Sequence, residues 1–264
     1  MKVKNIILTG GHSGMGLELT KILKREGHKI GLIVRNEKRK NDAIEELGDV
    51  PQLDFFFADL SKREDIKQVA ENIKIKWAKI DVIFNNAGVL LDKLYFSDYG
   101  NELQLEINAL SPYLLTKELL PLLNNAQNAL VVNTATGDLQ KKKSIDIPHL
   151  KKPKKFTKLT GSYLDSKLVM VLLMNYLNSK NEDLRVISVD PGAIKTKMTA
   201  GDGMPFWLKP IRNLFFKSPK DGAQKLYYAA FTKKHHGNGI YISNDTVKEI
   251  KITLNDKEHN ELFA

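Results

Sequence analysis

Short, nearly unbroken apolar runs alternate with stretches of helical periodicity along the whole chain, and few architectures accept that pattern. Strands are predicted over 3–9, 28–34, 53–57, 80–85, 129–134, 184–189 and 239–242. Helices are predicted after the first strand up to residue 26 and over 37–47, 62–77, 100–123, 162–179 and 219–232. A strand that is apolar at every position, rather than at every second one, must be covered on both faces. The pattern therefore predicts an α/β fold: a doubly wound, mainly parallel sheet of about seven strands with helices on both faces. No Pro/Ser/Gly-rich stretch divides the 264 residues, so a single domain over 1–264 is expected. In such sheets ligands bind beyond the carboxyl ends of the strands, where the strand order reverses.

The absence of cysteine excludes disulfides, thiolate metal sites and cysteine nucleophiles. The clearest apolar run of the C-terminal half, 168–174, is far shorter than the about 20 residues that cross a bilayer. The first strand begins almost at once and leaves no room for a cleavable signal, so a cytoplasmic protein is expected. The net charge of +10 would attract phosphates, nucleic acids or anionic lipids. Much of the excess, however, lies between Lys141 and Lys158, within a segment 137–161 that has two prolines and no apolar period. That segment reads as a solvated basic insertion loop. Phe156 is its one aromatic residue, too little for base stacking, so nucleic acid is not the expected partner.

Every residue cluster with chemical potential falls just after a predicted strand. Thr9-Gly10-Gly11-His12-Ser13-Gly14-Met15-Gly16 links the first strand to the first helix. Glycines there let the backbone turn tightly and approach a pyrophosphate, and the helix start offers free N–H groups and a positive dipole end. A purely structural tight turn would use the same glycines. Arg35 and Asn36 end the second strand, with Lys38, Arg39 and Lys40 beyond. An acidic residue there would hold a ribose 2′-hydroxyl, whereas a guanidinium can pair with a 2′-phosphate, which favours NADP(H). An exposed basic helix start would look alike. Asp59-Leu60 follows the third strand and suits an adenine, unless Asp59 is simply an N-cap. Asn85-Asn86-Ala87-Gly88 ends the fourth strand, where small residues admit a ribose and asparagine can tie strands together.

Tyr163 and Lys167 lie four apart on a predicted helix and so share one face. A free phenol, with a pKa of about 10, is a poor acid–base catalyst near neutrality, and a neighbouring ammonium would favour its phenolate. The spacing alone also arises by chance. In company with the earlier loops, and with Asn108 and Pro191-Gly192 with Thr196, it resembles the short-chain dehydrogenase/reductase family over nearly the whole chain, in the family's order. The segments from Asn108 to Thr116 and from Lys217 to Gln224, and the long gap before Tyr163, are similar to the retinol-dehydrogenase-like branch.

The resemblance implies a Rossmann fold and an NADP(H)-dependent oxidoreductase interconverting an aldehyde or ketone with an alcohol. It implies that Tyr163 gives or takes the proton, that Lys167 lowers the phenol pKa and holds the nicotinamide ribose, and that Asn108 positions a proton-relaying water. Gly10, His12, Ser13, Gly14, Met15, Gly16, Asn86, Ala87 and Gly88 would line the cofactor site, with Pro191, Gly192, Ile194 and Thr196 seating the nicotinamide. Where the family has a serine after the fifth strand, this chain has Thr136, which keeps the hydroxyl and adds a methyl group. Thr134 is a weaker substitute, one strand alternation earlier. A homodimer or homotetramer through helices 100–123 and 162–179 is implied as well. The rival reading is a non-catalytic dinucleotide-binding redox sensor.

Segment 198–218 contains Met204, Pro205, Phe206, Trp207, Leu208, Phe215 and Phe216, and reads either as a flap over an apolar small-molecule substrate or as an amphipathic helix packed on the domain. Leu90, Leu91 and Leu139 would extend that pocket.

Overall fold

The computed structural model describes residues 2–205, 215–232 and 239–264. Eight strands form one sheet: β1 (Asn5–Thr9), β2 (Lys29–Val34), β3 (Leu53–Phe57), β4 (Val82–Asn85), β5 (Leu130–Thr134), β6 (Arg185–Val189), β7 (Ile240–Ser243) and β8 (Thr246–Lys248). Their spatial order is β3-β2-β1-β4-β5-β6-β7-β8. All pairs are parallel except β7 with β8. The order reverses between β1 and β4, so the carboxyl ends of those strands open a crevice there.

Side-chain alternation along each strand divides the interior into two cores. Ile6, Leu8, Ile30 and Leu32 point to one face, where α1 (Gly14–Arg25) and α2 (Glu37–Leu47) pack. Ile7, Ile33 and Val131 point to the other, beneath α3 (Arg63–Lys76) and the helices described next. Gly31 leaves no room for a side chain in the second core: a Cβ there would lie 2.6 Å from Ile7 Cδ1 and 3.1 Å from the Trp77 ring. Such two-sided burial explains why the strands read as unbroken apolar runs.

The helix predicted over 100–123 is broken in a way that periodicity does not reveal. It runs through α4 (Leu103–Leu105), a π-helical segment Glu106–Leu110, α5 (Ser111–Glu118) and α6 (Leu120–Asn124). The Ser111 N–H reaches the Glu106 carbonyl five residues back, and the Ser111 hydroxyl donates to the same oxygen at 2.8 Å. A second π-helical segment, Lys158–Tyr163, leads into α8 (Leu164–Ser179).

The basic segment is less loop-like than its composition suggests. It holds a 3₁₀ turn, Leu139–Lys141, and α7 (Ile147–Lys151), anchored by Leu139 and Ile147, both buried in the core. Isolated apolar residues among lysines make no period, which is why the sequence hides these anchors. Leu139 is thereby removed from any substrate pocket. α9 (Lys197–Ala200) and α10 (Pro219–Phe231) follow β6, and among the described residues no helix is long and apolar enough to cross a membrane.

Two C-terminal elements escape the sequence reading. β8 is a mostly exposed three-residue strand, joined to β7 through Asn244 and Asp245, which both adopt positive φ as a tight hairpin requires. α11 (Asp256–Phe263) is closed by an Asn255/Glu258 capping box and lies against α5 and α8. His259 stacks on Tyr176 at 4.3 Å and meets the Tyr113 hydroxyl at 2.7 Å, while Leu262 is fully buried. Leu262→Ala should lower the unfolding free energy by about 2–5 kcal/mol, the range for removing a fully buried leucine side chain. Urea denaturation measures it, and a change of a few tenths would show that the helix is only loosely held.

Candidate active site

The crevice at the switch point is built by close backbone approach. Gly10 and Gly14 have φ of +70° and +54°, which favour glycine. At Gly16 a Cβ would run into the Gly10 carbonyl and lie 2.5 Å from Asn86 Nδ2. Asn86 Nδ2 donates to the Thr9 carbonyl at 3.1 Å, and Thr9 Oγ1 accepts from the N–H groups of Asn86 and Ala87, both at 3.0 Å. These bonds lock the ends of β1 and β4 together. Behind them, Asn85 Nδ2 donates to Asn133 Oδ1 at 2.9 Å and to Thr116 Oγ1 at 3.2 Å, the strand-tying role expected for it. Ser13, at the N-cap of α1, makes no side-chain capping bond. Nothing on its own side chain competes for the first N–H groups of the helix, which suits an incoming phosphate.

The resulting cleft has a volume of about 360 Å³. Most of the expected residues line it: Gly10, His12, Ser13, Gly14, Met15, Gly16, Arg35, Asp59, Leu60, Asn86, Ala87, Gly88, Tyr163, Lys167 and Thr196. Thr196 faces the glycine loop, since a Cβ on Gly14 would sit 3.5 Å from its methyl group. A glycine-walled cradle, a helix start and a basic rim fit a dinucleotide.

Six expected residues stand elsewhere. Asn36 caps α2, its Oδ1 accepting from Arg39 N at 3.1 Å. Pro191 and Gly192 lie outside the cleft lining, with the Gly192 N–H donating to Asp190 Oδ1 at 2.8 Å. Ile194 is a core residue packed against Gly222, because its side chain turns into the sheet rather than the crevice. Asn108 lies behind Gly88: its Oδ1 accepts from Val89 N at 2.8 Å, and its Nδ2 donates to Val89 O at 2.9 Å and Ser166 Oγ at 3.0 Å. The side-chain amide is therefore engaged by protein groups rather than offered to a water. Thr136 is half-buried, and its carbonyl accepts the Tyr241 hydroxyl at 2.6 Å. Thr134 lines the cleft instead, its hydroxyl donating to Asn86 Oδ1 at 3.5 Å.

Asp59 is no N-cap. Its Oδ1 accepts from Ser61 N at 2.9 Å and Ser61 Oγ at 2.8 Å, closing a turn on the cleft wall. The sequence reading also missed Ile33, Ala58, Ser61, Val89, Ile107 and Lys197 as lining residues, whereas Met198, the first residue of the expected flap, does line the cleft. Each adjoins a recognised motif or strand end but carries no signal of its own. Of the segment 198–218, residues 206–214, with Phe206, Trp207 and Leu208, lie outside the described residues. Met204 is buried, Phe215 is exposed, and Gly203 packs against the Leu90 backbone.

At the reacting end, Tyr163 and Lys167 share one face of the α8 entry and both line the cleft, nearly buried. Lys167 Nζ donates to the Thr134 carbonyl at 2.7 Å. A Cβ on Gly88 would lie 3.4 Å from that Nζ and 3.1 Å from Asn108 Oδ1, so Gly88 keeps the wall thin there. Burial holds the ammonium down to about 8. Burial, and then the Asp190 carboxylate, pushes the phenol up to about 12. The lowered phenol that was expected is not seen in the free protein, where burial and the Asp190 carboxylate both disfavour the phenolate.

The profile of the short chain dehydrogenase family matches residues 4–144. The chain belongs to that family. Human polyprenol dehydrogenase is 27% identical over 98% of this chain and 82% of its own length. Human retinol dehydrogenase 14 is 26% identical over 95% and 81%. A short chain dehydrogenase of Shigella flexneri, solved in complex with NADP, superposes with a TM-score of 0.70 at 24% identity, covering 90% of this chain and 95% of that one. The family and fold make this an oxidoreductase of the nicotinamide-dinucleotide class with retinol-dehydrogenase-like relatives. Gly16→Ala should abolish measurable dinucleotide binding in fluorescence titration while the far-UV spectrum is retained, because the new methyl has no room between Gly10 and Asn86.

Proposed function

We propose that this chain is an NADP(H)-dependent oxidoreductase that interconverts an aldehyde or ketone with its alcohol, using Tyr163 as the acid–base group. The observation that carries this reading is that Tyr163 and Lys167 line the same cleft as the glycine loop. Bound in that cleft, a nicotinamide dinucleotide supplies or accepts the hydride, and the protein contributes orientation and a proton.

The elevated phenol pKa suits reduction. Tyr163 stays protonated at neutral pH, ready to donate its hydroxyl proton to a carbonyl oxygen as negative charge develops there. Lys167 is mostly cationic at neutral pH and lies in a buried site, where its charge stabilises a forming phenolate more strongly than it would in water. The Thr134 hydroxyl lies on the same wall, in place of the Thr136 hydroxyl, and by turning its one proton away from Asn86 Oδ1, 3.5 Å distant, it can polarise the substrate oxygen. Val89, Ile107 and Met198 give the lining an apolar part, which suits an apolar carbonyl compound. Relatives named for polyprenol and retinol support an alcohol/carbonyl couple. Arg35, exposed on the cleft rim where an acid would favour NAD(H), supports the phosphorylated cofactor.

NADPH oxidation against aldehydes and ketones of graded size and polarity tests the activity. With any accepted substrate, Tyr163→Phe should lower kcat by about 10²–10⁴-fold, the usual worth of a positioned acid, and leave NADPH binding intact. Undiminished turnover would remove Tyr163 from the mechanism. Arg35→Asp should weaken NADPH binding roughly ten- to hundredfold, as loss of a charged hydrogen bond worth about 1.5–3 kcal/mol implies, and should spare NADH. Equal losses for both cofactors would defeat the 2′-phosphate assignment.

A further inference from the structure

The cleft gathers basic side chains from four separate places: His12 in the glycine loop, Arg35 after β2, Arg39 in the first turn of α2 and Lys197 in α9. Two carboxylates lie nearby, and both are occupied. Asp42 is paired with Lys38 and with Arg39, each at 3.2 Å, and Asp59 Oδ1 accepts two bonds from Ser61. The basic rim therefore has positive charge to spare for an anion.

His12 is the odd member. Its ring is half-buried, and its Nδ1 is sealed from solvent with no hydrogen-bond partner among the described residues. Burial, and then the Arg39 guanidinium, hold the imidazole below its usual pKa of 6.5; Arg35 and Lys197 act in the same direction, and Asp42 opposes them. The imidazole is the one group in the cluster whose charge changes with small shifts in its surroundings near neutrality. A dianionic phosphate among these groups would reverse the local potential and favour the imidazolium.

We propose that His12 is a proton-coupled clasp for the 2′-phosphate of NADP(H): neutral in the free protein, it takes up a proton as the phosphate enters, so that preference over NAD(H) grows as the pH falls. The inference rests on the NADP(H) reading above and adds a proton to it. The direction follows from linkage. Phosphate raises the imidazole pKa from its depressed free-state position, so affinity increases as pH falls from the bound-state value to the free-state value and is flat outside that window. Within the window, one proton taken up per phosphate changes the affinity by up to about tenfold per pH unit. The phosphate monoester titrates too, with a pKa of about 6, but among cations it sheds rather than gains a proton. Its contribution has the opposite sign.

The test is calorimetric titration of the chain with NADP⁺, NAD⁺ and 2′,5′-ADP from pH 5.5 to 8.5, in paired buffers of different ionisation enthalpy, for wild type and His12→Gln. The expected result is that wild type binds NADP⁺ and 2′,5′-ADP with more proton uptake than the variant, and that its NADP⁺/NAD⁺ affinity ratio rises more steeply on acidification. NAD⁺, which lacks the 2′-phosphate, should show a smaller difference in proton uptake between the two proteins than NADP⁺ does, and the far-UV spectrum verifies that the variant is folded. Identical proton uptake and identical pH slopes in the two proteins overturn the proposal and leave the cofactor reading standing. No advantage of NADP⁺ over NAD⁺ at any pH overturns both. Should the variant fail to fold, a proton NMR titration of His12 in wild type decides: its pKa must rise when 2′,5′-ADP is added, and an unmoved value ends the idea.

Discussion

The site depends on how closely two chain segments approach each other at the switch point. Thr9, Gly10, Gly16 and Asn86 pack backbone against backbone and backbone against amide, with no space for a single added methyl group at Gly16. That closeness needs a glycine where the helix begins and an asparagine able to bond the facing carbonyl. With the ends of β1 and β4 fixed, the start of α1 points into the crevice and the chain after β4 swings past it. Gly88 then continues the same wall toward Lys167. Phosphate cradle and reacting end are therefore parts of one continuous surface.

Burial sets the electrostatics of the dry end of that surface. Around Tyr163 and Lys167 it penalises both charged forms, so the free protein holds a phenol that keeps its proton and an ammonium close to losing one. A proton donor that does not ionise in advance is what reduction of a carbonyl needs, and a buried cation is most effective when charge appears beside it. At the other end, Arg35, Arg39 and Lys197 line a wetter rim suited to an anion. One cleft thus combines a dry region around Tyr163 and Lys167 with a charged region at its rim.

Much of this was legible in advance. Fully buried strands leave continuous apolar runs, and glycines or asparagines placed directly after them suit a crevice at the strand ends as well as a tight turn. The misses share a physical origin. Ile194 and Asn36 belong to recognised motifs, yet one side chain turns into the core and the other closes a helix start. Thr134 and Thr136 differ by the geometry of the chain leaving β5, which a rule of alternation along a strand does not describe once the strand has ended. The π-helical segment at Glu106–Leu110 adds a residue to one turn without altering composition or apolar spacing, so no periodicity could announce it.

By itself, then, the sequence determined the layered sheet, the position of the crevice and the placing of Tyr163 and Lys167 on one helix face, because these follow from local periodicity and from residue types with narrow conformational or chemical uses. The tertiary structure alone decided which threonine reaches the cleft, that Asn108 works from behind the wall, that the phenol is raised rather than lowered, and that Leu139, Ile147 and the C-terminal helix complete the core. Those outcomes depend on solvation and on contacts between residues distant in the chain, and both quantities exist only once the chain has closed on itself.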